Sequence, residues 1–177
     1  MTDADWVGIE PGDIGFDGGV GWSGFIIRYT TGIYGHCWVY HVDHGNGVWE
    51  TIEAGPREGI IWRKRTRKPT KVVRLWRNEE ERQRILEASE GCLGRAYGWG
   101  EIFRIALHIL GIKVKGWADN KERMICSNHV ATAAVASAPG LELTLPYKPE
   151  HIWPQRLATW CNWVVWTRDR NKEKKDA

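Results

Sequence analysis

The sequence predicts an α+β domain: a series of short strands, then helices, then one closing strand. Three observations carry this. Residues 12–76 hold β-branched and aromatic runs broken by glycine-rich turns. Residues 78–138 place apolar side chains at helical spacing, and residues 160–167 return to a β-like run of tryptophan and valine. At 177 residues the chain suits one domain with a sizeable core. We delimit it as 1–168, followed by a polar tail over 169–177.

Taken in order, Gly12-Asp13-Ile14-Gly15-Phe16-Asp17 reads as a short strand entering a glycine-rich loop. Phe25-Ile26-Ile27-Arg28-Tyr29 is a short apolar segment of helical character, ahead of a turn at Thr31-Gly32. Residues 36–42 alternate as a strand, and Gly45-Asn46-Gly47 reverses the chain so that 48–54 returns beside it. Residues 59–64 and 71–76 supply two further strands. Asn78 before Glu79, Glu80 and Glu81 is a helix N-cap with acids in the first turn, and that helix stops near Gly91 or Gly94. A second helix covers 100–110, with Ile102, Phe103, Ala106, Leu107 and Leu110 as its buried face. Residues 113–123 are polar and loop-like. A third helix starts at Cys126 and ends before Ala138-Pro139-Gly140.

Composition narrows the function classes. The formal charge of +3 is mild, and the compact basic run Arg63-Lys64-Arg65-Thr66-Arg67-Lys68 lacks interleaved aromatics, so no nucleic-acid partner is expected. That run suits a solvated hairpin tip, or a patch meeting phosphate, a wall polymer or anionic lipid. The 12 tryptophans serve either as core mass, the reading we favour, or as the lining of a binding groove. Cys37, Cys92, Cys126 and Cys161 have no paired spacing, which argues against a disulfide framework and a zinc knuckle. The acidic start Met1-Thr2-Asp3-Ala4-Asp5 has no secretory signature, and no apolar run reaches membrane-spanning length. Synthesis in a reducing cytoplasm is expected, with delivery elsewhere left to another component.

The chemistry centres on Cys126 within Met124-Ile125-Cys126-Ser127-Asn128-His129. A helix N-terminus offers unpaired N–H groups and partial positive charge, which stabilise a thiolate and the oxyanion it generates. A free cysteine on an apolar helix is ordinarily inert, so the thiol needs a base. His36, on the first hairpin strand, is the candidate, and its second ring nitrogen needs an acceptor to fix the tautomer. Glu53 on the returning strand would supply it, or Glu50 if the register differs. His36, Cys37, His41 and His44 are types that suit zinc, yet strand alternation sends His36 and Cys37 to opposite faces. No metal and no cofactor is expected. His129 lies one turn after Cys126, where packing explains it; His108 and His151 have no distinguishing context.

The order of these motifs resembles the circularly permuted NlpC-type papain-like hydrolases, the branch holding YiiX-like proteins and the lecithin:retinol acyltransferase group. Gly12-Asp13-Ile14, Ser23-Gly24-Phe25-Ile26-Ile27-Arg28 and Gly35-His36-Cys37-Trp38-Val39 are similar to that family's opening. Ile52-Glu53-Ala54 resembles the strand carrying its third catalytic member, and Ile125-Cys126-Ser127 its nucleophile motif. Gly94-Arg95-Ala96-Tyr97 is similar to the segment whose tyrosine lies by the oxyanion site, and Pro149-Glu150-His151-Ile152 to the family's ending. Gly35 stands where serine is usual, and Asn128-His129 where Glu-Leu or Glu-Phe is usual. The resemblance spans Gly12 to about Trp166. It implies a papain-like fold, antiparallel sheet or partial barrel against helices, with Cys126 at a helix N-terminus. It implies a catalytic set of Cys126, His36 and Glu53, with Tyr97 and Ser127 beside the oxyanion and substrate.

The leading expectation is therefore a cysteine amidase or peptidase acting through a thioester on peptide, with bacterial cell-wall (peptidoglycan) peptide favoured. A phage origin would fit a compact wall hydrolase of this kind. Two alternatives stay open: a lipid hydrolase or acyltransferase on the same pair, and a non-catalytic virion or binding protein with a vestigial site.

Overall fold

The computed structural model describes residues 8–18, 32–109, 111–112, 123–138, 140–145 and 152–176. Its centre is a five-stranded antiparallel sheet of β1 (Ile14–Asp17), β2 (His36–Asp43), β3 (Trp49–Gly55), β4 (Gly59–Arg65) and β5 (Lys71–Val73), in the order β4-β3-β2-β1-β5. The β2–β3 reversal is the turn that the glycines announce: Gly45, Asn46 and Gly47 all adopt positive φ, and His44 N–H donates to the Val48 carbonyl at 2.9 Å. One sheet face carries Ile14, Phe16, Cys37, Val39, Ile52, Ala54 and Ile60 into the main core. The other carries Trp38, Tyr40 and Trp49 into a smaller aromatic cluster. Trp38 lies across Gly15, its register partner on β1, so closely that a Cβ there would sit 2.3 Å from the indole.

Helices cover the main face. α1 (Glu79–Glu90) begins as its sequence requires, with Asn78 Oδ1 accepting from Glu81 N–H at 2.9 Å, and stops at Gly91. α2 (Trp99–Ile109) and α3 (Cys126–Ala136) follow, and α3 packs against β2, β3 and α1. A pair of two-residue strands, β6 (Ala96–Tyr97) and β7 (Arg123–Met124), runs parallel immediately before α2 and α3. A 3-10 turn at Leu141–Thr144 leads towards α4 (Pro154–Asp176).

Several expectations are corrected. Residues 160–167 lie inside α4 and form no strand. Their valines and tryptophans mimic a β run, but the buried positions Leu157, Ala158, Trp160, Cys161 and Val164 recur at helical spacing, and Pro154 suits a first helical turn. The helix continues through the polar tail to Asp176. Phe103, expected in the buried face of α2, is exposed, whereas Ile102 packs against the core. Arg63 and Arg65 lie within β4 and not at a hairpin tip. Trp38, Trp49 and Trp160 are core mass, whereas Trp62, Trp99, Trp163 and Trp166 are exposed. The 25–29 segment, the Ser23–Arg28 and Pro149–His151 motifs, and residues 113–122 lie outside the described residues. No described helix is long and apolar enough to cross a membrane.

Candidate active site

Cys126 is the first residue of α3, buried at 2% exposure, and its N-cap is Ile125. An isoleucine offers no side-chain cap, so none is made to the first-turn N–H groups. His36 opens β2, and His36 and Cys126 act on each other, raising the imidazole pKa and lowering that of the thiol. His36 Nε2 meets Glu53 Oε2 at 2.6 Å. The structure thus brings together the three side chains proposed from sequence, from two strands and one helix.

Which carboxylate serves His36 is decided by a bulge. Counting back from the hairpin, Asp43 pairs Trp49 and Val42 pairs Glu50, and an unbroken ladder would put Glu50 on His36's face. One extra residue between Tyr40 and Val42 shifts the register, so that Trp38 pairs Glu53. Glu53 then shares the face of His36 and Trp38. Glu50 instead lies 3.5 Å from His44 Nε2, towards the hairpin end.

Glu53 is 1% exposed and heavily clamped. Arg65 donates to Oε2 through Nε at 3.1 Å and through Nη2, and Arg63 Nε lies 3.1 Å from Oε1. Arg65 also lies 3.5 Å from Asp17 and stacks over the Trp38 ring at 3.6 Å. Burial alone would raise the Glu53 pKa, but the His36 and Arg65 contacts overcome it and hold it at about 2. For His36, burial acts to lower the pKa, yet hydrogen bonds and charge from Cys126 and Glu53 raise it to about 9. Cys126 is held well below an ordinary thiol, first by a hydrogen bond from the Cys37 thiol, against desolvation, and then by His36. Cys37 itself is driven up by burial and by the neighbouring thiolate, so it stays a protonated donor. The shifts of His36 and Cys126 both favour a thiolate–imidazolium pair, with a fixed carboxylate beside the imidazole.

Tyr97 is buried on β6, and its pKa is pushed up by burial and then by the charge of Cys126. It therefore keeps a protonated hydroxyl. Ser127 does not join it. The residue is fully buried and its hydroxyl donates to the Ile152 carbonyl at 2.6 Å, tying α3 to the chain before α4. His129 and His41 have partners of their own. His129 is buried with Nε2 2.8 Å from Ser89 Oγ, and desolvation followed by the His36 charge pushes it down to about 4. His41 lies 3.0 Å from Glu90. Among the described residues no three His, Cys, Asp or Glu side chains converge as a metal site.

Sequence reasoning missed Cys37 and the Arg63–Arg65 clamp. Alternation along β2 was a usable signal for Cys37, because it places that side chain on the face α3 covers, whereas His36 acts on Cys126 from the open first position of the strand. Nothing local signals the arginines, whose role depends on β3–β4 register. The chain matches no protein-family model and no curated protein.

Proposed function

We propose that this protein is a cysteine hydrolase of papain-like, permuted NlpC-type architecture that cleaves an amide bond through a thioester, with bacterial cell-wall peptide as the favoured substrate. The observation that carries this reading is the Cys126–His36–Glu53 alignment, with a depressed thiol at a helix N-terminus. Cys126 Sγ attacks the carbonyl. The first-turn N–H groups of α3 and the Tyr97 hydroxyl supply hydrogen bonds to the oxyanion. The imidazolium of His36 protonates the leaving amine, and the neutral ring then activates water to release the acyl group. Glu53, held by Arg63 and Arg65, fixes the tautomer and supports the charge. Incubation with muropeptides tests this: new amine termini form with the native protein and are lost in Cys126→Ala. Absence of cleavage across wall peptides removes the substrate assignment.

A second reading keeps the same pair and replaces the amide with a lipid ester. It draws on Trp163 and Trp166, exposed on α4 ahead of a lysine-rich end. Acyl release from anionic vesicles distinguishes it.

A further inference from the structure

The short parallel pair β6–β7 sets Tyr97 beside Met124, and Gly98 N–H donates to the Met124 carbonyl at 3.0 Å. Two residues beyond that pair each chain starts a helix, α2 at Trp99 and α3 at Cys126. Gly98 packs against this segment, and a Cβ on it would meet Ile125 Cγ2 at 3.4 Å, an ordinary van der Waals contact. Trp99 therefore opens α2 beside the strand pair that leads into Cys126. Its indole is fixed at two points: Nε1 donates to the Pro56 carbonyl in the β3–β4 turn at 2.9 Å, and the ring meets Tyr97 edge-on at 5.2 Å. Yet the residue remains 51% exposed. Phe103, one helical turn further on the same face and about 6 Å along the axis, is 56% exposed.

An indole whose polar atom is already engaged and whose face stays open is a fixed apolar platform, costing little further ordering when a ligand covers it. We propose that Trp99 is a specificity-determining surface that receives an apolar amino-acid side chain next to the scissile carbonyl. This inference rests on the nucleophile reading above and deepens it. The platform stands on the same short strand pair that leads into Cys126, so the group lying on it belongs to the acyl unit under attack. One indole face matches a single side chain better than an extended polymer.

The test uses active-site alkylation and needs no natural substrate. Acetyl-phenylalanyl and acetyl-glycyl chloromethyl ketones are compared by mass spectrometry of Cys126; in each, the thiolate forms a C–S bond and chloride leaves. The phenylalanyl probe should label at least about tenfold faster, the discrimination an apolar contact supplies. Trp99→Ala should bring the ratio near one, and Trp99→Phe should keep most of it. Iodoacetamide, which carries no side chain, reads the Cys126–His36 pair alone. Slow iodoacetamide labelling of Cys126 at pH 6 overturns the nucleophile reading itself. Fast iodoacetamide labelling with equal rates for the two ketones in the native protein overturns the Trp99 assignment, as does an unchanged ratio in Trp99→Ala. A dodecyl chloromethyl ketone that outpaces the phenylalanyl probe overturns it in favour of a fatty acyl occupant.

Discussion

His36 Nε2 sits 2.6 Å from Glu53 Oε2, a contact made possible by one extra residue in β2. Replacing that carboxylate by an amide keeps the shape but removes the charge that supports the imidazolium. Glu53→Gln should lower amide hydrolysis by about two orders of magnitude, the scale of losing proper acid–base support. It should also destabilise the fold by about 3 kcal/mol, because Arg63 and Arg65 lose their buried counter-charge. Steady-state kinetics and urea denaturation read the two effects separately.

The pKa directions set a pH dependence with a definite sign. His36 keeps its proton until about pH 9, so hydrolysis should fall as pH rises through that value and the acid that protonates the leaving amine is lost. In Glu53→Gln this alkaline limb should move to lower pH. Stability behaves differently. Glu53 ionises at about 2 when folded against 4.5 ordinarily, so its contribution is complete above about 4.5 and is lost as pH falls through about 2. His36 alone would favour the folded state below 6.5, with that advantage lost by about 9; the proton it retains is the one Cys126 gives up, so net uptake is small and stability should stay nearly flat there. Urea midpoints measured from pH 3 to 9 check both statements.

Cys37 offers a second handle on the nucleophile. Its protonated thiol donates to the Cys126 thiolate from a position with no exposure. Cys37→Ala should slow iodoacetamide labelling of Cys126 at pH 6 and shift its midpoint upward, by less than His36→Ala does. Cys37→Ser, which retains a donor, should fall between the native protein and the alanine variant.

How much of this was legible in the chain depends on how local each signal is. The helix N-cap at Asn78 and the Gly45–Gly47 reversal are written in a few adjacent residues, and both form as read. Cys126 at a helix start is likewise a local pattern. The choice between Glu50 and Glu53 is not local: a bulge at one position of β2 exchanges the two faces, and no residue type there announces it. Arg65 reaches Glu53 only through β3–β4 pairing, so it reads as solvent-facing charge until the sheet is assembled. Residues 160–167 mislead because tryptophan and valine favour strands in isolation, whereas burial on one helical stripe outweighs that preference.

Arg65 is the residue through which fold and chemistry are most tightly joined. Its guanidinium spans Glu53, Asp17 and the face of Trp38, and Trp38 in turn lies over Gly15. A lysine can place one charge there but cannot form the fork that engages the carboxylate through two nitrogens, nor stack as a plane on the indole. Arg65→Lys should therefore recover little of what Arg65→Ala loses, which we expect to be about 3 kcal/mol for an uncompensated buried carboxylate. The variant should also lower kcat while leaving iodoacetamide labelling of Cys126 close to native, because the arginine acts on Glu53 and not on the sulfur. Gly15→Ala separates the two roles: its Cβ meets Trp38 without touching Glu53, so it should cost about 1–3 kcal/mol by overpacking and leave the alkaline limb of the rate profile where it was. An equal shift of that limb in both variants would show that the aromatic stack, and not the arginine, sets the charge on His36.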